Sequence, residues 1–130
     1  MNECYVEMML DDVAIEVLES AAQQALLPTA DYIAGDAIQR QYPPFDYGTL
    51  QNSRYVHMDN NNNAIIEHTT PYAFKMYTGD NYNFQTVNNR NARARWYKEY
   101  EEQGQHYDNV EKFYANRVKR LSERYVEWLV

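Results

Sequence analysis

Glycine, proline and cysteine are all scarce in this 130-residue chain, with four, four and one respectively. So few glycines leave no Gly-x-Gly-x-x-Gly or Walker pattern, so a backbone cradle for nucleotide phosphates is excluded. Cys4 has no second cysteine to pair with, which excludes an intrachain disulfide and any cysteine-based zinc cluster. No apolar run approaches the ~20 residues needed to span a bilayer. Glu3 and Glu7 stand where a signal peptide requires positive charge, and no Asn-x-Ser/Thr acceptor occurs. These absences lead us to expect a soluble protein kept in a reducing compartment, with no membrane partner.

Basic residues are also missing from the first third. Eight acids (Glu3, Glu7, Asp11, Asp12, Glu16, Glu19, Asp31 and Asp36) precede Arg40, the first base. From Arg40 onward the remaining eleven acids meet all twelve bases, so the net charge of -7 belongs to the N-terminal segment. An overall negative charge argues against non-specific binding to nucleic acid or anionic lipid, since both require Lys and Arg to neutralise phosphates. The asymmetry hints at an interaction surface, while an acidic solvated face is the more frequent reason for such a pattern.

What the chain has is 45% apolar residues and thirteen tyrosines. Its length suits one domain spanning 1–130, burying roughly two-thirds of the unfolded surface. Val6, Leu10, Val13, Val17, Ala21 and Ala25 recur at three- and four-residue steps, predicting an N-terminal helix that Pro28 either kinks or divides and Pro43-Pro44 ends. Leu50–Asp59 and Ala64–Thr69 read as strands of a hairpin, with Asn60–Asn63 at its tip because asparagine tolerates the left-handed region. Thr70-Pro71 reads as an N-cap and first helical position, opening a short helix closed by Gly79. From Asp80 to about Gln105 no period holds, and we expect an irregular loop that becomes ordered on assembly. Val110, Phe113, Tyr114, Val118, Leu121, Tyr125 and Trp128 line one face of a C-terminal helix. The expected fold is α+β, a small antiparallel sheet packed by N-terminal and C-terminal helices.

Catalytic patterns are absent. His57, His68 and His106 fall in separate elements; a closed hairpin would bring His57 near His68, most simply as a polar cross-strand pair. Ser53 lacks a nucleophile elbow, and the carboxylates of Asp11 and Asp12 diverge by about 100° on a helix. No catalytic residue, metal site or cofactor is assigned. Tyr, Trp and Arg are the side chains that interfaces prefer. Tyr72, Lys75, Tyr77, Tyr82, Phe84, Arg90, Arg93 and Arg95 are therefore interface candidates, with Asp11, Asp12, Glu16 and Glu19 as the opposing acidic set. Trp96 is equally suited to a core.

The middle of the chain resembles a known family. Pro44-Phe45-Asp46-Tyr47-Gly48-Thr49-Leu50-Gln51-Asn52-Ser53 is similar to the Asp-Thr-Gly-x-Leu-x-x-Ser stretch of phage minor capsid and head–tail connector proteins, the tail-completion type of long-tailed phages. Asp46, Gly48, Leu50 and Ser53 carry that turn motif. Thr70-Pro71-Tyr72-Ala73, Tyr82-Asn83-Phe84, Asn91-Ala92, Trp96-Tyr97 and Tyr100 follow in the family's order. Tyr47 replaces a usual threonine, Arg93 and Arg95 lie where glycines are common, and Lys98-Glu99 replaces Glu-Pro. The resemblance implies a structural protein of the virion neck, present in the host bacterial cytoplasm during assembly. It also implies a homo-oligomeric ring between portal-side connector proteins and tail-tube or tail-terminator proteins, with no sequence-specific nucleic acid. An acidic helix on one subunit facing a neighbour's Arg90–Arg95 loop would give the head-to-tail contact a ring requires. Two other readings are an acidic DNA-mimic inhibitor of a nucleic-acid enzyme and a small hydrolase.

Overall fold

The computed structural model describes residues 2–44, 54–70, 72–79 and 91–129, with side chains described between 13 and 124 within those ranges. Two long helices flank a two-stranded antiparallel sheet, an α+β arrangement. The first helix, α1, runs Asn2–Gln39, 38 residues or about 57 Å of axis. It passes through Pro28 without a break in its assignment, so neither a division nor a second helix is seen. Proline removes one ladder bond at this point. The flanking stretch is rich in alanine, the strongest helix former, and packs on two sides. Thr29 Oγ1 adds a bond to the Ala25 carbonyl at 2.7 Å.

Those two sides explain why no single stripe describes α1. Ala21 and Ala25 share a face with Tyr32, whose ring stacks on Phe113 of the C-terminal helix at 4.5 Å. Ala30, Ile33 and Ala37 occupy a face roughly 130° further round and meet the sheet and the aromatic core. Small side chains on the first face let the helices approach closely. The predicted stripe holds at Ala21 and Ala25 but not at Val13, which is exposed, as are Ile15 and Leu18.

The end of α1 is set two residues before the prolines. Gln41 adopts φ 65°, Gln41 N–H donates to the Ile38 carbonyl and Tyr42 N–H to the Ala37 carbonyl. This is a Schellman end, and its expected apolar contact is present because Ala37 and Tyr42 lie in the same core cluster.

Strands β1 (Arg54–Met58) and β2 (Ala64–His68) pair antiparallel, with Met58 opposite Ala64 and Arg54 opposite His68. Asn62 takes φ 63° at the tip, as an asparagine turn requires. Asp59 organises that turn: its carboxylate accepts the N–H groups of Asn61 and Asn63 and the Asn63 amide. The Asn63 backbone bond holds its pKa below the usual value, and with the other two bonds it outweighs the opposing effect of desolvation. The register separates His57 from His68: His57 lies opposite Ile65, on the other face of the sheet from His68. The expected cross-strand histidine pair does not form.

Helix α2 spans Ala73–Thr78. Tyr72, not Thr70, stands at its N-cap, and no side chain caps it. Thr70 belongs to the turn before the helix, where its carbonyl accepts the Ala73 N–H, and its hydroxyl is buried without a partner among the described residues. Gly79 follows α2 with φ -88°, so the helix ends without using glycine's special conformations.

The described part of the segment expected to be irregular, 91–106, is closely wound. A 3-10 turn at Lys98–Tyr100 leads into Gly104, where a Cβ would run into the Glu99 carbonyl. His106 N–H then donates to that same carbonyl at 2.7 Å. Helix α3, Tyr107–Leu129, returns along α1 with Phe113 on Tyr32 and the Tyr114 hydroxyl donating to the Ala22 carbonyl. Val110, Phe113, Tyr114, Val118 and Leu121 are half-buried, while Glu111, Lys112, Asn116, Lys119, Arg120 and Glu123 are exposed, as the periodicity predicts.

Candidate functional site

Three features of the described surface and core can act on other molecules: an aromatic and polar knot behind α1, an apolar groove beside it, and an aromatic projection on α2.

The knot begins at Asp36. A carboxylate in the last turn of a helix faces the negative end of the helix dipole, and α1 has no base in that turn. Asp36 is compensated from outside: its Oδ2 accepts the Arg40 Nε–H at 2.7 Å and the Tyr100 hydroxyl at 2.5 Å. Burial pushes its pKa up, but those two bonds and the Arg40 charge outweigh it, and the net shift is downward. Burial raises Tyr100 far above the usual phenol range, and the bond to Asp36 adds to it. Next to this pair, the Tyr42 hydroxyl and His106 Nε2 share a hydrogen bond of 2.7 Å, their rings nearly parallel. His106 is 5% exposed, so burial first, and the Arg40 charge second, lower its pKa and favour the neutral ring. Arg93 lays its guanidinium over the Tyr42 ring at 4.3 Å and donates Nε–H to the Asn91 carbonyl.

Trp96 continues the knot towards the sheet. It is 1% exposed, with Tyr77 edge-on at 4.7 Å and His68 edge-on at 5.6 Å. His68 Nε2 and the Tyr97 hydroxyl lie 2.8 Å apart. Arg95, at φ 48°, donates its backbone N–H to the Tyr77 carbonyl. The knot therefore joins α1, the hairpin, α2 and the 91–106 segment. Its Tyr42–His106 and His68–Tyr97 pairs and the bonds of Arg40 and Tyr100 to Asp36 hold these segments together.

The sequence-derived candidates distribute unevenly over this frame. Trp96 and Tyr100 are core, Tyr77 and Tyr97 are half-buried against them, and Tyr72, Lys75, Arg93 and Arg95 are exposed. Glu16 and Glu19 are exposed on α1. Tyr82, Phe84 and Arg90, and the turn motif of Asp46, Gly48, Leu50 and Ser53, lie outside the described residues, as do the side chains of Asp11 and Asp12. The backbone of Asp11 and Asp12 belongs to α1, which carries all eight acids of the N-terminal segment.

Two elements escaped the sequence. A groove of about 330 Å3 opens between α1 and β2, floored by Leu26, Thr29, Ala30, Ile33, Ala64 and Ile66 and closed by Tyr97, Tyr100 and Glu101. Phe74 on α2 is 78% exposed, beside the exposed Lys75. The spacing of Ala73, Met76 and Tyr77 at i, i+3 and i+4 signals which face of α2 is buried, and so leaves Phe74 and Lys75 outward.

Among the described residues no group of three or more His, Cys, Asp or Glu side chains is arranged to hold a metal ion, and no helix is long and apolar enough to cross a membrane. Comparison with family models, with curated proteins and with solved structures found no match to this chain.

Proposed function

We propose that this chain is a structural component of a phage virion, a neck-ring or tail-completion protein that joins head to tail by subunit assembly without catalysis. The observation that carries the reading is the polarity of charge: α1 bears eight acids and no base, while Arg93 and Arg95 stand exposed on the segment after the hairpin. A surface that is acidic at one place and basic at another, on the same chain, suits heterologous contacts that close into a ring. The ordered motifs between residues 44 and 100 support the same family, as does the layout of helices on both flanks of a hairpin.

Within this reading the acidic helix α1 meets a neighbour's Arg90–Arg95 loop. Partners are further copies of the chain, portal-side connector proteins and tail-tube or tail-terminator proteins, and the location is the virion, with the host bacterial cytoplasm as the place of assembly. Arg93 also stacks on Tyr42, and Arg95→Glu leaves that stacking in place. Native mass spectrometry and electron microscopy of the purified chain at low ionic strength should show discrete rings. Arg95→Glu should weaken them, and added salt should weaken the wild type in the same direction. Rings that are indifferent to both changes sink this contact. Competition between the chain and duplex DNA for a basic enzyme would establish the DNA-mimic reading instead.

A further inference from the structure

The groove beside α1 and the projection on α2 each set an apolar surface beside one charge, and the two charges are opposite. The groove is apolar along α1 and β2, with Glu101 at its edge, and its volume of about 330 Å3 is ample for one aromatic ring, since a cavity of ~150 Å3 already takes benzene. Phe74 projects from the surface at 78% exposure, an unusual position for so apolar a side chain, and Lys75 follows it. Among the described residues neither Lys75 nor Glu101 forms an ion pair within the chain. Ile15 and Leu18, each more than half exposed, extend the apolar surface along α1 towards the groove. At 100° per residue Ile15 falls on the same side of the helix as Leu26 and Ile33, which line the groove, and Leu18 on the flank beside it.

We infer that Phe74 of one copy docks in the α1–β2 groove of a second copy, with Lys75 beside the second copy's Glu101. The contact joins two different surfaces of the same chain, so every copy that fills a neighbour's groove leaves its own groove open for another. Association by this route is head-to-tail and proceeds beyond two subunits. One buried aromatic side chain with a flanking charge pair makes a small contact, which places it in the weak class and makes it depend on concentration. The inference needs no virion: it concerns the purified chain, and it differs from the contact between acidic α1 and the Arg93–Arg95 region in its chemistry, being mainly apolar and therefore only mildly sensitive to salt.

Sedimentation velocity of the full chain from micromolar to near-millimolar concentration tests it. The wild type should self-associate. Phe74→Ala should weaken association about tenfold or more, in keeping with loss of an anchoring aromatic, without changing the far-ultraviolet circular dichroism of a chain that has lost only an exposed ring. Ala64→Phe, which fills the groove from β2, should have the same effect. Lys75→Glu and Glu101→Lys should each weaken association by about threefold, and the double swap should restore it. An equimolar mixture of Phe74→Ala and Ala64→Phe retains one intact groove and one intact projection, and should form a species of two chains and nothing larger. A wild type that stays monomeric throughout overturns the inference, as does a Phe74→Ala chain that associates like the wild type. Loss of association in Arg95→Glu together with full association in Phe74→Ala would overturn this contact while leaving the acidic-helix contact standing.

Discussion

Between Ala21 and Ala37, α1 is embraced by α3 on one face and by the hairpin and aromatic knot on another, and five of its alanines are buried. Between Val13 and Ser20 the same helix shows mostly exposed side chains, including Ile15 and Leu18. The two stretches have similar apolar content, so hydrophobicity alone does not decide what is buried. What differs is the packing around them: from Ala21 to Ala37 small alanines let neighbours approach on two sides, whereas the residues towards the N-terminus, Ala14 among them, stay at the surface beside Glu16 and Glu19.

The largest blow to the embraced half should come from Trp96→Ala. Trp96 fills the space between Ala37, Ala73 and Tyr77, and truncating a buried aromatic costs about 3–5 kcal/mol. Chemical denaturation should show the loss as a lower midpoint with little change in slope. Ala25→Leu should follow, at about 1–3 kcal/mol, because a fully buried alanine facing a neighbouring helix has no space for three more carbons. A thermal melt of that variant unchanged from wild type would break the size argument for the embraced half.

Acid should act on this half next. His106 has a lowered pKa in the folded state, so in the window just below 6.5 the unfolded chain binds more protons than the folded one, and stability falls as pH falls. Asp36 is also lowered, so its contribution is present above 3.8 and is lost as pH drops beneath that value. Melting temperature plotted against pH should therefore show two descending steps, and His106→Gln should flatten only the upper one. The smallest effect belongs to the other half. Ile15→Ser and Leu18→Ser should change stability by no more than about 0.5 kcal/mol each, as exposed substitutions do. A loss of several times that amount in either variant, measured on dilute protein, would erase the contrast.

The elements themselves were legible where period and turn chemistry agree. The α+β arrangement, the asparagine-tipped hairpin and the facing of α3 follow from 3.6-residue spacing, β character and asparagine's tolerance of positive φ. The end of α1 was read from Pro43-Pro44, whereas Gln41 makes it, and a left-handed glutamine leaves no mark in sequence. The uninterrupted passage through Pro28 depends on packing from two sides, which is tertiary information. The histidine pair failed because Asp59 draws the turn closed, with Met58 opposite Ala64, and so sets the register. At the candidate site, tyrosines near the middle were noticed as a group, but composition does not separate Tyr100 in the core from Tyr72 at the surface. The groove is formed by segments thirty and more residues apart, and no local pattern announces it.

Trp96 gives the folded chain an optical label. Its indole is shielded from water, so its fluorescence should lie to the blue of a solvated tryptophan and move to the red on unfolding. His68 and Tyr77 meet that indole edge-on and help to shut water out. With Trp128→Phe leaving Trp96 as the single emitter, its wavelength should report whether the knot is intact.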